Sequence, residues 1–373
     1  MTLSDLQTPA FLVDRDRVER NCRTMREKAS RSNVVFRPHV KTHKTIEIGR
    51  MQHGGGIGPI TVSTLAEADF FAAAGFRDIT YAVPIAPEKL GRVASLAGRV
   101  ERVSILLDDP SVLYAIEEFA SAQKTLFDAF LELDCGDHRT GIDAEGDEAI
   151  AFGKRIAASP AVRFRGVLTH AGHSYHARST DEIREIAREE GECVTRFASR
   201  LRDEGVEGVT RSVGSTPTMS VVPRFENTDE VRPGNYVFFD AFQATIGSCT
   251  LDDCAASVLT TVIGTYPGQN KLVVDAGAVA MSKDPGPLEL DPEFGYGIVA
   301  DTNLRPLPMR LFSLSQEHGQ IRGTRPIDFD LYPIGTRLRI VPNHSCLTAA
   351  LFDAYHVIAG GELVGEWRPV RGW

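Results

Sequence analysis

Between residues 34 and 244 the chain changes from a strand pattern to a helix pattern about eight times in succession, a rhythm that few architectures accept. Residues 34–41 read as a strand, followed by a helical segment to about Met51. Residues 60–63 are a strand, and Thr64-Leu65-Ala66-Glu67 is a capping box opening a helix that stops at Gly75. Strands over 78–83, 100–107, 127–134 and 162–168 precede helices over 87–96, 111–122, 147–158 and 180–202. A strand over 206–213 precedes a short helix near Thr216, and residues 230–239 close the series. The expected fold class is α/β, a (β/α)8 TIM-like barrel, with an open doubly wound sheet as the alternative.

After Ala244 the helix pattern disappears. Residues 257–264, 271–275, 320–325 and 337–341 look like strands separated by Pro and Gly, which predicts a C-terminal β-rich domain. Domains are therefore expected over 14–244, the barrel, and over 1–13 together with 245–373, the β-rich part; 373 residues are too many for one ordinary domain.

A net charge of −9 excludes a general nucleic-acid or anionic-membrane partner. No run of about 18 apolar residues occurs, and the N-terminus lacks a basic, apolar leader, so a cytoplasmic protein is expected. The 6 cysteines are scattered without a CxxC pair, which fits reduced thiols; Cys249 and Cys254 have no partner spacing for a metal.

A barrel places its chemistry at the C-terminal ends of strands, and the conspicuous polar segments fall there. The first is Arg37-Pro38-His39-Val40-Lys41-Thr42-His43-Lys44. If the strand persists, period two sends Val35, Arg37, His39, Lys41 and His43 to one face, a line of cations that needs an anion or paired carboxylates. A lysine among cations has its pKa lowered and becomes an amine nucleophile; a solvated basic edge strand is the competing account. Lys44 points the other way by the same period. Gly214-Ser215-Thr216 follows the seventh strand, the usual phosphate position of such barrels, although the same tripeptide suits a plain helix cap. Arg139 is a candidate partner for a cofactor ring or a substrate carboxylate, or for a salt bridge to Asp134 or Asp137. In Pro342-Asn343-His344-Ser345-Cys346, an extended segment would point His344 and Cys346 to one side, a nitrogen and sulfur pair suited to Zn²⁺ unless the spacing is incidental.

These segments, with Arg232-Pro233-Gly234-Asn235-Tyr236, Asp275-Ala276-Gly277 and Glu317-His318-Gly319, resemble the D-serine dehydratase and D-threonine aldolase family, relatives of alanine racemase. The resemblance implies an alanine-racemase-type barrel with a C-terminal β-domain. It also implies a homodimer whose active site lies between one subunit's barrel and its partner's β-domain. By the same resemblance pyridoxal 5'-phosphate and Zn²⁺ are the cofactors, and Lys41 is the Schiff-base lysine. Arg139 is implied near the pyridine ring, Tyr175 beside the cofactor, and Gly214, Ser215 and Thr216 at the phosphate. His344 and Cys346 match the zinc pair of the dehydratase branch, where aldolase members carry an aspartate at the second position. The implied reaction is conversion of a D-3-hydroxyamino acid such as D-serine or 3-hydroxy-D-aspartate to a 2-oxo acid and ammonia. Retro-aldol cleavage of such substrates to glycine and an aldehyde is the alternative, and a non-catalytic cofactor carrier is third.

Overall fold

Residues 2–373 are described by the structure, a computed structural model. They form two compact units: Arg23–Gly234 with Val370–Trp373, and the residues up to Cys22 with Asn235–Pro369.

In the first unit, parallel strands follow the chain order: Val35–Phe36, Ile60–Val62, Asp78–Pro84, Arg102–Leu107, Phe127–Asp134, Val162–Leu168, Thr210–Val213 and Glu230–Val231. The last strand pairs with the first, and a parallel bridge between His39 and Thr61 closes the ring, so the closed barrel is the observed solution. Arg102–Leu107 and Phe127–Asp134 are buried almost throughout because both faces of a parallel barrel strand are covered. Gly166 has φ +138° and its missing Cβ would stand 2.1 Å from Thr210 O, so only glycine lets these two strands approach.

Three expected strands are shorter than their patterns suggest. The first is ladder-paired only over Val35–Phe36, the seventh begins at Thr210, and the eighth covers Glu230–Val231 before a 3₁₀ turn at Asn235–Val237. Apolar runs mark burial, not pairing, and loops packed over a barrel mouth are as apolar as its strands. The final four residues, which the sequence pattern assigns to the β-rich part, belong to the barrel unit. Val370 N donates to Lys44 O at 2.9 Å, and Arg92 Nη1 to Trp373 O at 2.7 Å.

In the second unit, Ala256–Tyr266 pairs with both Lys271–Val274 and Arg337–Pro342. Gly319–Gly323, Pro306–Leu314 and Gly297–Ala300 complete an antiparallel ring between them. Ala10–Asp14 joins antiparallel to Ala256–Tyr266 and parallel to Tyr355–Ala359, which carries Glu362–Trp367 at its edge. Phe11 anchors this extension, with ring centroids 4.9 Å from Tyr355 and 5.5 Å from Phe352. Among the described residues no helix is long and apolar enough to cross a membrane.

Candidate active site

The backbone after Val35–Phe36 stays extended to His39, whose N–H donates to Pro233 O at 3.0 Å, then tightens into a 3₁₀ turn over Val40–Thr42. Pro38 removes a donor and fixes the extended entry. The turn lifts Lys41 to an exposed position, and it breaks the expected line of cations. Arg37 is buried in the wall, with Nε 2.6 Å from Glu230 and Nη1 2.6 Å from Asp78, so its charge is matched by the paired carboxylates. His43 is fully buried, accepts from Thr45 N at 3.2 Å and meets the edge of Phe71. Lys44 has φ +55° and binds Glu67 Oε1 at 2.9 Å.

Burial pushes His43 down to about 3 and His53 to about 4. The unfolded chain takes up these protons near pH 6.5, whereas the folded chain takes them up only near pH 3 to 4. The stability these rings contribute is therefore complete above pH 6.5 and drains as pH falls below it. The unfolding free energy, read from denaturant curves, should fall between pH 6.5 and 4.5 by up to about 1.4 kcal/mol per pH unit for each ring. His43→Gln, which keeps an acceptor for Thr45 N, should flatten that slope by about one proton; an unchanged slope would show that His43 titrates normally.

Lys41 lies within electrostatic reach of His39 and His170. Its own N–H reaches His39 Nδ1 at 3.4 Å, which leaves the His39 proton on Nε2, 3.3 Å from Ser63 Oγ. Burial first, then Lys41, Arg232 and His170, hold His39 neutral, well below the usual histidine range. His170 donates through Nδ1 to Gly214 O at 2.6 Å. Burial, then the charges of Lys41 and Arg139, push it down to about 3, so its Nε2 is an unprotonated acceptor at neutral pH. Arg232 is buried, donating 2.5 Å to Ser212 Oγ and also to Thr169 O. Burial lowers its pKa from the ordinary arginine value, while the charges of Glu230, Glu190 and Glu132 favour the cation in part.

Glu190 braces two of the loops. Its carboxylate accepts from Ala171 N and Gly214 N, both at 3.0 Å, and from Thr218 Oγ1 at 3.2 Å. Ser215 caps the short helix Thr216–Val221 by accepting from Thr218 N at 3.3 Å, and its hydroxyl also meets Ser174 Oγ at 2.9 Å. The helix-cap account of this tripeptide is thus realised at the Ser215 side chain. Gly214 has φ +145°, and a Cβ there would stand 2.8 Å from Arg232 N. Tyr175, half-buried, lies in the 3₁₀ turn Gly172–His176 beside Ser174. Arg139 is exposed and 3.8 Å from Asp137, a loose pair, while its charge reaches His170 and Glu132. Asp134 instead accepts from Gly136 N, His138 N and His138 Nδ1.

The β unit holds the second group of predicted residues. His344 is the N-cap of the turn Ser345–Ala349, so the segment is bent where an extended one was expected. The bend leaves His344 and Cys346 in electrostatic contact. Burial would lower His344, but Cys346, the hydrogen bond to Asp284 and the charge of Asp240 push it up to about 11. Its Nδ1 lies 3.0 Å from Asp284 Oδ2, and a side-chain hydrogen bond also joins the ring to Cys346. Asn235 Nδ2 lies 3.6 Å from Cys346 Sγ and 2.7 Å from buried Asp240, which also accepts from Ser345 N at 3.0 Å. Asn343 Nδ2 donates to Asp284 O at 3.0 Å and Gly295 O at 2.8 Å, tying the Asp284 loop to this corner. Among the described residues no three His, Cys, Asp or Glu side chains gather into a metal cage. The corner offers two donors and a carboxylate behind one of them.

Residues 13–241 match the alanine racemase N-terminal domain, and residues 255–358 the putative serine dehydratase domain. The chain is 39% identical to the D-threo-3-hydroxyaspartate dehydratase of Delftia sp., covering 100% of this chain and 99% of that one. The chain belongs to the alanine racemase-like D-serine dehydratase family. The solved Delftia structure superposes with a TM-score of 0.95 over 100% of both chains. Variants of that enzyme have been solved with a histidine or a cysteine replaced by alanine, the cysteine variant in a metal-free form. The D-serine dehydratase of Dictyostelium discoideum is 37% identical over 100% of this chain and 98% of its own. The D-threonine aldolase of Arthrobacter is more distant, 28% identical over 100% of this chain and 94% of its own.

This family is one of lyases for which pyridoxal phosphate is the expected cofactor. The surroundings of Lys41 fit such a group, because an exposed amine shares this mouth with two neutral histidines and with the cations Arg139 and Arg232, a positive field suited to a phosphorylated aldehyde. Four contributors to this mouth were given no role at the sequence level, His39, His170, Glu190 and Arg232, although His39 and Arg232 lie in segments that carry the family resemblance. Three of them stand just after barrel strands, where the strand order alone could have found them. Glu190 sits mid-helix among other acids, and only its burial separates it from a solvated face.

Proposed function

We propose that the protein is a pyridoxal-phosphate- and zinc-dependent dehydratase that converts D-3-hydroxyamino acids, D-serine or 3-hydroxy-D-aspartate, to a 2-oxo acid and ammonia. The observation that carries this reading is the placement of Lys41 on the turn that ends the first barrel strand, beside neutral His39 and His170. In this reading residues 14–244 bind the cofactor, and residues 1–13 with 245–373 bring the metal. The cytoplasmic enzyme is a homodimer in which one barrel and the partner's β-domain complete each site.

Bound pyridoxal phosphate supplies an electron sink for the substrate carbanion, and bound Zn²⁺ a Lewis acid for the poor hydroxide leaving group. Lys41 Nζ would hold the cofactor and would serve as the base that moves the Cα proton. Arg139 and Tyr175 would stand beside the cofactor, and Gly214, Ser215 and Thr216 would hold its phosphate. Neutral His170 keeps an acceptor at Nε2 without adding charge. For the metal, a thiolate from Cys346 and Nε2 of His344 are a donor set that suits Zn²⁺, with Asp284 fixing the ring through Nδ1.

Incubation with D-serine, D-threonine and 3-hydroxy-D-aspartate should release ammonia from at least one of them. Glycine in place of ammonia would mark an aldolase, and no turnover of any would sink the proposal. For the phosphate, equilibrium dialysis of the cofactor should weaken by roughly 1–2 kcal/mol in Ser215→Ala. Gly214→Val should weaken it further, since its Cβ meets the Arg232 backbone at 2.8 Å. Unchanged affinity in both would leave the segment as a helix cap alone.

A further inference from the structure

The β unit contains a cavity of about 480 Å³ that shares no residue with the groups above. Its wall includes Ser4, Asp14, Arg17, Thr302, Arg337 and Arg339. Arg337 and Arg339 lie two apart on the strand Arg337–Pro342, so period two sends both to the face opposite Leu338 and Ile340, which are buried.

The arginines are not equally matched. Arg17 gives Nη1 to Leu251 O at 3.0 Å and Cys254 O at 2.9 Å, and its Nε lies 3.4 Å from Asp14. Arg339 is 3% exposed; its Nε donates to Ser257 Oγ at 2.9 Å and its Nη1 reaches Thr302 O at 3.3 Å. That leaves Nη2 of Arg339 buried with no protein acceptor. Arg337 repeats the pattern: Nη2 reaches Ser4 O at 3.5 Å, and Nη1 is buried without an acceptor.

Asp14 and Asp301 are the carboxylates whose fields reach Arg339, opposed by Arg17. Asp14 also accepts from Arg17 N, and Asp301 Oδ1 accepts from Asn303 N at 2.8 Å and Arg305 N at 2.9 Å. Burial, the largest influence, pushes Arg339 down to about 10, so the site resists the charge it carries. An arginine does not shed its proton at neutral pH, and burying one with donors unmet is costly. Two planar guanidinium groups on one strand face, each with an Nη lacking a protein acceptor, suit what an oxyanion offers, several lone pairs on a compact centre.

We propose that this cavity binds a small dianionic oxyanion, phosphate or a short dicarboxylate, between Nη1 of Arg337 and Nη2 of Arg339. The dianion matches the two guanidinium charges, since Arg17 already has Asp14.

The test is isothermal titration of the cofactor-loaded protein with inorganic phosphate and, separately, with malonate, in chloride buffer of constant ionic strength. Saturable binding of one of the two is expected, phosphate alone marking a tetrahedral site and malonate alone a dicarboxylate site. Arg337→Gln should weaken it by at least about tenfold, the loss of one charged hydrogen bond and a unit charge. Arg339→Lys, which keeps the charge but not the fork, should weaken it by roughly threefold or more. Arg337 is partly exposed, so its variant decides the matter even where Arg339→Lys does not fold. No saturable binding of either anion, or equal affinity in wild type and Arg337→Gln, would overturn the proposal.

Discussion

Lys41→Ala protein is expected to purify without the visible absorption of a covalently held cofactor and to lose at least about 10³-fold in ammonia release, since one residue supplies both the attachment and the proton transfer. The fold should survive. Lys41 is exposed at the end of its strand, and removing an exposed side chain forfeits little packing. Lys44 is the local control, because its amine is held 2.9 Å from buried Glu67. Lys44→Ala should therefore keep the visible band while costing some stability. Reduction with borohydride followed by peptide mapping reads the attachment directly, without reference to turnover. A label on Lys44, or on any residue but Lys41, would refute the assignment.

Removal of metal is the second large effect. Chelation is expected to reduce ammonia release from a D-3-hydroxyamino acid by roughly 10²-fold or more, with recovery on adding Zn²⁺. Circular dichroism and the visible band should not change, because the corner is held by its own hydrogen bonds. Asp240 fixes Ser345 and Asn235, and Asn343 fixes the Asp284 loop. Asp284→Ala should lower Zn²⁺ affinity by about 10- to 100-fold, measured by competition with a chromogenic chelator, since a carboxylate behind a ligating histidine sets its tautomer and orientation. Cys346→Asp exchanges a soft ligand for a hard one and should move the preference towards Mn²⁺ while dehydratase activity is lost. Full activity in metal-free protein or in His344→Ala would mean that a protein acid, not a metal, activates the leaving group.

Local patterns determined the order and identity of the elements. The alternation of apolar strand patterns with amphipathic helices pointed to a parallel α/β unit, a barrel or an open doubly wound sheet, because the requirement to cover both faces of a parallel strand is written residue by residue, while closure was decided by strand pairing. The loop positions of Lys41, Arg139 and Gly214 followed from that order. The short cap at Ser215 and the helix start at Thr64 were equally local, each satisfied by a bond within three residues.

What tertiary structure decided is which charges are used up and which remain. Arg37 and Lys41 look alike in the sequence, four residues apart in one basic segment. The Glu230 and Asp78 carboxylates that neutralise Arg37 come from 193 and 41 residues away, while Lys41 is turned outward by a 3₁₀ turn that period two did not foresee. Glu190, unremarkable on an acidic helix, becomes the brace of two loops only when Ala171 and Gly214, 19 and 24 residues away in sequence, come together around it. Ion pairing and burial act over distances of a few ångströms in space, so they depend on closure of the ring; hydrophobic periodicity acts along the chain and is legible before it folds.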